Sequence, residues 1–268
     1  GGNKTRKLEF LIPDAIKNNA KTVLTIGAVQ SNHARQTAAA CALMNLKCII
    51  VLEHRLKNPP DAYINSGNIF LDKLFGAEIK ICGKNENILD YSKKVIEELN
   101  SKGNKVYFIP GGGSNEIGAL GYVECLNEII KENDKYNITE IIHATGSSGT
   151  QAGLLAGRKY FKCNIPVTGI SVRFDKSTQE EKVYNEAKRT CEILKCDILD
   201  KSEVVAYDDY VGSGYGEPTE EMIEATKLLA RKEAILLDPV YSGKGFAGLI
   251  DLVQKKKFKK SDNVLFIH

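Results

Sequence analysis

Short β-branched and apolar runs alternate along this chain with longer amphipathic stretches, and no other feature narrows the fold as much. TVLTIG (22–27), KCIIVLE (47–53), AEIKICG (77–83), VYFIPGGGS (106–114), EIIHATG (140–146), PVTGISV (166–172), VVAYDDY (204–210), AILLDPV (234–240) and NVLFIH (263–268) read as strands. Between them lie helical segments such as 31–45, 65–76, 88–103, 120–133, 150–161, 180–194, 219–232 and 245–256. The strands are continuous apolar runs rather than alternating ones, which is the signature of strands buried on both faces. Strict β–α alternation then predicts α/β architecture, with mostly parallel sheets flanked by helices. The glycine cluster Gly111–Gly113 is the place where the chain is expected to pass between two lobes. We read a smaller domain over 6–113 and a larger one made of 1–5 and 114–268.

Charge and cysteine usage exclude several functional classes. The net charge of +3 is too small to argue for nucleic acid or an anionic membrane, and the basic run at 254–260 reads as a solvated helix end. No apolar run reaches the ~18 residues of a membrane span. The seven cysteines are scattered, form no C-x-x-C pair and have no histidine at zinc-ligand spacing. They read as reduced, buried thiols of a cytoplasmic protein, and no metal site is expected.

Chemistry is concentrated where strands end. HATGSSGTQAGLLAG (143–157) passes from a strand through a loop of small residues into a helix. Backbone N–H groups at such a helix start suit a phosphate, and Thr145, Gly146, Ser147, Ser148, Gly149 and Thr150 are the candidates. The spacing is neither G-x-G-x-x-G nor G-x-x-x-x-G-K-[ST], and SVRF offers no acid to hold a ribose. This disfavours a Rossmann dehydrogenase and leaves a small phosphorylated ligand. GAVQSNHARQ (27–36) packs Ser31, Asn32 and His33 into a second strand-to-helix turn, a donor density that suits a carboxylate or a ring oxygen. Tyr215 and Tyr241 sit in glycine-bearing loops, the latter followed by Ser242. His54, His143 and His268 read as structural. In GGNKTRKLEF, Lys4 is either a surface cation or an imine-forming amine near a phosphate-anchored carbonyl, and Lys7 lies one turn on.

Together these motifs resemble the pyridoxal-phosphate enzymes of the D-cysteine desulfhydrase and 1-aminocyclopropane-1-carboxylate deaminase group. The likeness runs from GGNKTRKLE through GAVQSNHARQ, IPGGGSNEIGALGYVE, TGSSGTQAGL, GYGEPTEE and LLDPVYSGKG to VLFIH. It implies a two-domain tryptophan-synthase-β-like fold with the cofactor between the domains, and a homodimer. Lys4 is implied to bond the pyridoxal 5'-phosphate covalently and Lys7 to assist with its phosphate. Asn32 would meet the ring's 3' oxygen, and the Thr145–Thr150 loop the phosphate. Ser31, Asn32 and His33 would hold substrate, flanked by Tyr215 and Tyr241, with Ser242 at the ring nitrogen. Catalytic roles fall to Lys4, Ser31, Tyr215 and Tyr241. The deaminases carry Glu where this chain has Ser242, so the resemblance favours D-cysteine desulfhydrase. Elimination from D-cysteine would give pyruvate, ammonia and hydrogen sulfide. Cyclopropane deaminase, L-cysteate sulfo-lyase and a non-catalytic binder of a phosphorylated small molecule are the alternatives. Both ends read as cuts through a longer chain, with a Thr-Gly-Gly segment expected after His268.

Overall fold

The computed structural model describes residues 2–55 and 59–268. These divide into two compact units, 1–121 and 122–268. The first runs α1 (Thr5–Lys17), β1 (Thr22–Ala28), α2 (Asn32–Leu43), β2 (Lys47–Glu53), α3 (Asp61–Asn65), α4 (Asn68–Leu74), β3 (Glu78–Ile81), α5 (Ile88–Ser101) and β4 (Val106–Ile109). A single 3₁₀ turn, Gly111–Gly113, leads into α6 (Glu116–Tyr136), within which the boundary falls. The second unit continues with β5 (Ile138–Thr145), α7 (Gly149–Phe161), β6 (Val167–Ser171), α8 (Lys176–Leu194), a 3₁₀ turn at Lys201–Glu203, β7 (Val205–Tyr207), α9 (Glu220–Glu233), α10 (Ser242–Gln254) and β8 (Asn263–Ile267).

Each unit holds one four-stranded sheet, ordered β3-β2-β1-β4 in the first and β7-β6-β5-β8 in the second. Every ladder is parallel, as continuous apolar strands require. Alternate residues of β1 and β2 serve opposite faces. Val23, Ile50 and Leu52 join Leu8, Leu11 and Ile12 of α1 and Ala34 and Ala38 of α2. Leu24, Ile26, Ile49 and Val51 pack instead with Val95 of α5. In the second unit Ile142 of β5, Ile170 of β6 and Leu252 of α10 form one face. α7 and α8 pack against each other, and α7 also lies on β5 and β6.

α1 carries Pro13 in its interior, which removes one backbone bond at a cost of roughly 3 kcal/mol. Burial of Leu8, Leu11 and Ile12 contributes about 2 kcal/mol each and offsets it. The helix therefore exists through packing rather than propensity, and its N-terminal Lys4 is held by whatever α1 packs on.

One expected strand is absent. Residues 234–240 form no ladder, and Leu236 is 82% exposed. An apolar run becomes a strand only if a sheet edge accepts it, and here β7 and β8 are the edges of the sheet. α10 also starts earlier than the residue pattern suggests, at Ser242 rather than in the following glycines. α3 was not foreseen. Among the described residues no helix is long and apolar enough to cross a membrane.

Candidate active site

In the first unit the strand β1 ends at Ala28, and the polar cluster that follows opens α2. Ser31 is the N-cap: its Oγ accepts from the Ala34 N–H at 3.1 Å, which leaves the hydroxyl proton for a ligand. Asn32 begins the helix, its Oδ1 accepting from Asn68 Nδ2 at 2.8 Å. Its own Nδ2 meets no acceptor among the described residues.

Lys4 stands at the N-cap of α1 and is only 8% exposed. Its Nζ donates to Asn3 Oδ1 at 2.8 Å. The turn that carries it is gripped by Gln36 of α2. Gln36 Oε1 accepts from the backbone N–H groups of Lys4 at 3.0 Å and Thr5 at 3.2 Å. Its Nε2 donates to the Asn32 carbonyl at 2.8 Å. Gly2 has φ +129°, and a Cβ there would lie 2.8 Å from the Gln36 amide, so the glycine before the lysine is what lets this glutamine close in. Gln36 thus joins the Lys4 turn to the Asn32 helix start. Sequence reading missed it, because its partners lie 31 and 32 residues away.

Lys7 is fully buried, and its Nζ donates to the Gly112 carbonyl and to Ser114 Oγ, both at 3.0 Å. It ties α1 to the glycine turn after β4. His33 is buried against Thr25, its Nε2 2.7 Å from Thr25 Oγ1. Thr25 gives its one proton to the Ile109 carbonyl at 2.8 Å, so toward His33 it can only accept. Nε2 therefore carries the imidazole proton, and Nδ1 is a buried lone pair without a partner among the described residues. Burial, then the charges of Lys4 and Lys7, push the His33 pKa down to about 3. His33 is a neutral acceptor in a cationic neighbourhood.

In the second unit β5 ends at Thr145 and α7 opens at Gly149, as the phosphate reading requires of a strand-to-helix loop. Ser148 occupies the N-cap position without capping through its side chain. Its hydroxyl turns away and donates to the Glu186 carboxylate of α8. Gln179, on the same helix, donates to Thr145 Oγ1 at 2.9 Å. The loop is thus braced from behind by α8. Thr150 is buried and Ser147 half-buried.

Tyr241 lies beside this loop: a Cβ at Gly146 would be 3.5 Å from its ring. The hydroxyls of Tyr215 and Tyr241 meet at 2.5 Å, with the rings edge-on at 5.9 Å. Arg173 sits over the Tyr215 ring at 5.4 Å. The loop bearing Tyr215 is pinned by a buried lysine that sequence reading passed over. Lys244 Nζ donates to the carbonyls of Val211 at 2.6 Å and Gly214 at 3.0 Å.

Asp238 explains why α10 starts where it does. Its carboxylate accepts the N–H groups of Val240, Tyr241 and Ser242 at 2.9, 2.8 and 3.0 Å, and the Ser242 hydroxyl at 2.8 Å. The Asp238 N–H in turn donates to Ser242 Oγ at 2.9 Å. Ser242 therefore holds one remaining lone pair and no proton for a ligand.

Taken separately, each set suits part of a phosphorylated aldehyde. The first unit offers a buried lysine amine in a turn that Gln36 ties to a helix start, where Asn32 Nδ2 meets no acceptor among the described residues. The second offers a helix start whose N-cap side chain has turned aside.

Comparison with known proteins agrees with that chemistry. Over residues 1–268 the chain matches the model of the family described as pyridoxal-phosphate dependent enzyme. It superimposes on a solved structure of a homologue of ACC deaminase with a TM-score of 0.90 and 36% identity, covering 100% of this chain and 79% of that one. A hydrogen sulfide-producing enzyme from Fusobacterium nucleatum is 18% identical, with a TM-score of 0.64 over 98% of this chain and 82% of that one. A pyridoxal 5'-phosphate-dependent aspartate racemase is 16% identical, with a TM-score of 0.67 over 98% and 78%. The last two show shared fold alone.

Proposed function

This chain belongs to the family of pyridoxal-phosphate-dependent enzymes, and from that premise we propose that it is a D-cysteine desulfhydrase. The reaction eliminates hydrogen sulfide from D-cysteine and, with uptake of one water, yields pyruvate and ammonia. Pyridoxal phosphate, when bound, supplies an electron sink for the pair left at Cα. Lys4 would hold the cofactor covalently, and its Nζ, as a free amine, would take the Cα proton. The α7 start, Gly146–Thr150, would hold the phosphate, and Asn32 Nδ2 would donate to the ring oxygen. Ser31 Oγ donates to the substrate carboxylate. His33 Nδ1, kept an acceptor by burial and by the neighbouring charges of Lys4 and Lys7, would meet a substrate donor. The hydrogen-bonded Tyr215–Tyr241 pair flanks the leaving sulfur.

The observation that carries the choice of substrate is Ser242. Where the cyclopropane deaminases have Glu, this chain has a hydroxyl engaged by Asp238 in both directions. No carboxylate then protonates the ring nitrogen from this position, which suits departure of a good leaving group more than opening of a cyclopropane. A second reading, cyclopropane deaminase, is supported by the 36% identity to a homologue of ACC deaminase.

Turnover of D-cysteine, L-cysteine, L-cysteate and 1-aminocyclopropane-1-carboxylate by the purified holoenzyme separates these readings. D-cysteine is expected to be the preferred substrate, and preference for the cyclopropane acid would replace the first reading with the second. Lys4→Ala is expected to abolish both turnover and the borohydride-sensitive visible band. A variant that kept both would refute any role for Lys4.

A further inference from the structure

The orientation of the Asn32 amide follows from a chain of hydrogen bonds that begins at a group with no choice. Arg35 Nε can only donate, and it meets Asn68 Oδ1 at 3.1 Å. That fixes the Asn68 amide, so its Nδ2 faces the Gln30 carbonyl at 3.1 Å and Asn32 Oδ1 at 2.8 Å. Both Nδ2 protons are then in use. Asn68 is anchored at its backbone as well, where its N–H donates to Gln30 Oε1 at 2.8 Å. Gln30 Nε2 in turn donates to the carbonyls of Tyr63 and Ser66, at 2.5 and 2.8 Å. Facing a fixed donor, Asn32 can present only its oxygen; the reverse orientation would set two N–H groups against each other. Its Nδ2 is the end left over for a ligand. The Asn32 backbone does not give way, since Gln36 Nε2 holds its carbonyl at 2.8 Å.

We propose that Asn68 is a positioning residue that fixes the Asn32 amide with its N–H donors toward an oxygen of the bound cofactor. Without Asn68 the Asn32 amide has no fixed direction, and its oxygen is as well placed to face the ligand as its nitrogen. An acidic residue at 68 does worse. It cannot donate, so it draws Asn32 Nδ2 to itself and turns Oδ1 toward the ring oxygen, opposing two acceptors. The inference deepens the reading that Asn32 meets the ring oxygen, and it rests on that reading.

The test reconstitutes the apoprotein with pyridoxal 5'-phosphate and with the analogue lacking the 3-hydroxyl, and compares the two dissociation constants. The readout is their ratio, the preference for the hydroxylated cofactor, measured without turnover. Asn32→Ala is expected to lower that preference by about tenfold, the worth of a charge-assisted hydrogen bond. Asn68→Asp is expected to lower it by at least as much, and Asn32→Ala combined with Asn68→Asp no further. Asn68→Ala, which adds no charge and serves if the aspartate variant does not fold, is expected to lower it by roughly threefold. A merely structural Asn68 would weaken both cofactors by the same factor and leave the ratio at the wild-type value, which would overturn the proposal. If Asn32→Ala itself leaves the ratio unchanged, the reading of Asn32 fails and the role of Asn68 falls with it.

Discussion

Gly121 offers a test in which two effects of opposite sign compete. It lies on α6 where that helix meets the backbone of α1, two to three residues after Lys4. A Cβ at 121 would stand 2.9 Å from the Lys7 nitrogen and closer still to the Arg6 carbonyl. The obstacle is backbone on both sides, so no rotamer change relieves it. The helices must separate by on the order of 1 Å to restore ordinary contact. Helix propensity alone predicts that Gly121→Ala stabilises by about 1 kcal/mol. Overpacking against backbone costs about 3 kcal/mol, so the net effect is a loss of roughly 2 kcal/mol. For a protein of this size that lowers the melting midpoint by on the order of 5 °C. Arg6 is two residues from Lys4, so the shift carries the lysine turn with it, and a displacement of about 1 Å costs around a hundredfold in kcat. Calorimetry and D-cysteine turnover measure the two effects. Gly83→Ala, where the nearest atom is Glu86 Oε2 at 3.8 Å, is the control and should stay within about 0.5 kcal/mol of wild type. A Gly121→Ala protein as stable as wild type, or more so, would mean that propensity won and that the two helices leave room for a methyl group.

His33 is neutral in the fold with a pKa near 3, below its ordinary 6.5, so it stabilises the protein above pH 6.5 and that stability is lost as pH falls toward 3. Urea unfolding at pH 6.5 and 5 should show wild type losing about 2 kcal/mol more than His33→Gln; equal losses would mean the imidazole is hydrated. Asp72 has the opposite sign. Both its oxygens are buried without a partner among the described residues, and burial raises its pKa to about 7 against the pull of Arg35. Stability is therefore lost as pH rises from about 4 to 7, and Asp72→Asn should gain on wild type by about 1.4 kcal/mol per unit across that window. A gain that does not depend on pH would refute this assignment. Ser242→Ala removes both hydrogen bonds to Asp238 and should cost about 1 kcal/mol in thermal unfolding. Ser242→Glu should reduce D-cysteine turnover, and an undiminished rate would remove Ser242 from the mechanism.

The architecture was readable because burial on both faces leaves a mark in composition: β1 and β2 are apolar throughout, and only a parallel sheet between helices accepts such strands. The misread segment, 234–240, has the same composition. Whether an apolar run finds a ladder partner is decided by the sheet, and Leu236 points to solvent instead. The correct signal was local. Asp238 stands four residues before Ser242 and caps the helix that begins there, yet a strand reading runs straight through it.

The candidate site residues divide in the same way. Lys4, Ser31, Asn32, the 145–150 loop and the two tyrosines stand out because polar residues are dense just where strands or turns run into helices. Gln36, Asn68 and Glu186 do not, since each acts on a partner 31 to 38 residues distant. Distance is only part of the reason. Gln30, Asn32, Gln36 and Asn68 are amides, and an amide in a sequence carries no sign: its donating nitrogen or its accepting oxygen can face a given neighbour. The direction of the network enters through Arg35, which can only donate, and passes through Asn68 to Asn32. A run of polar residues can therefore indicate that a ligand binds. Which end of Asn32 meets it depends on a guanidinium and a second amide that only the fold brings together.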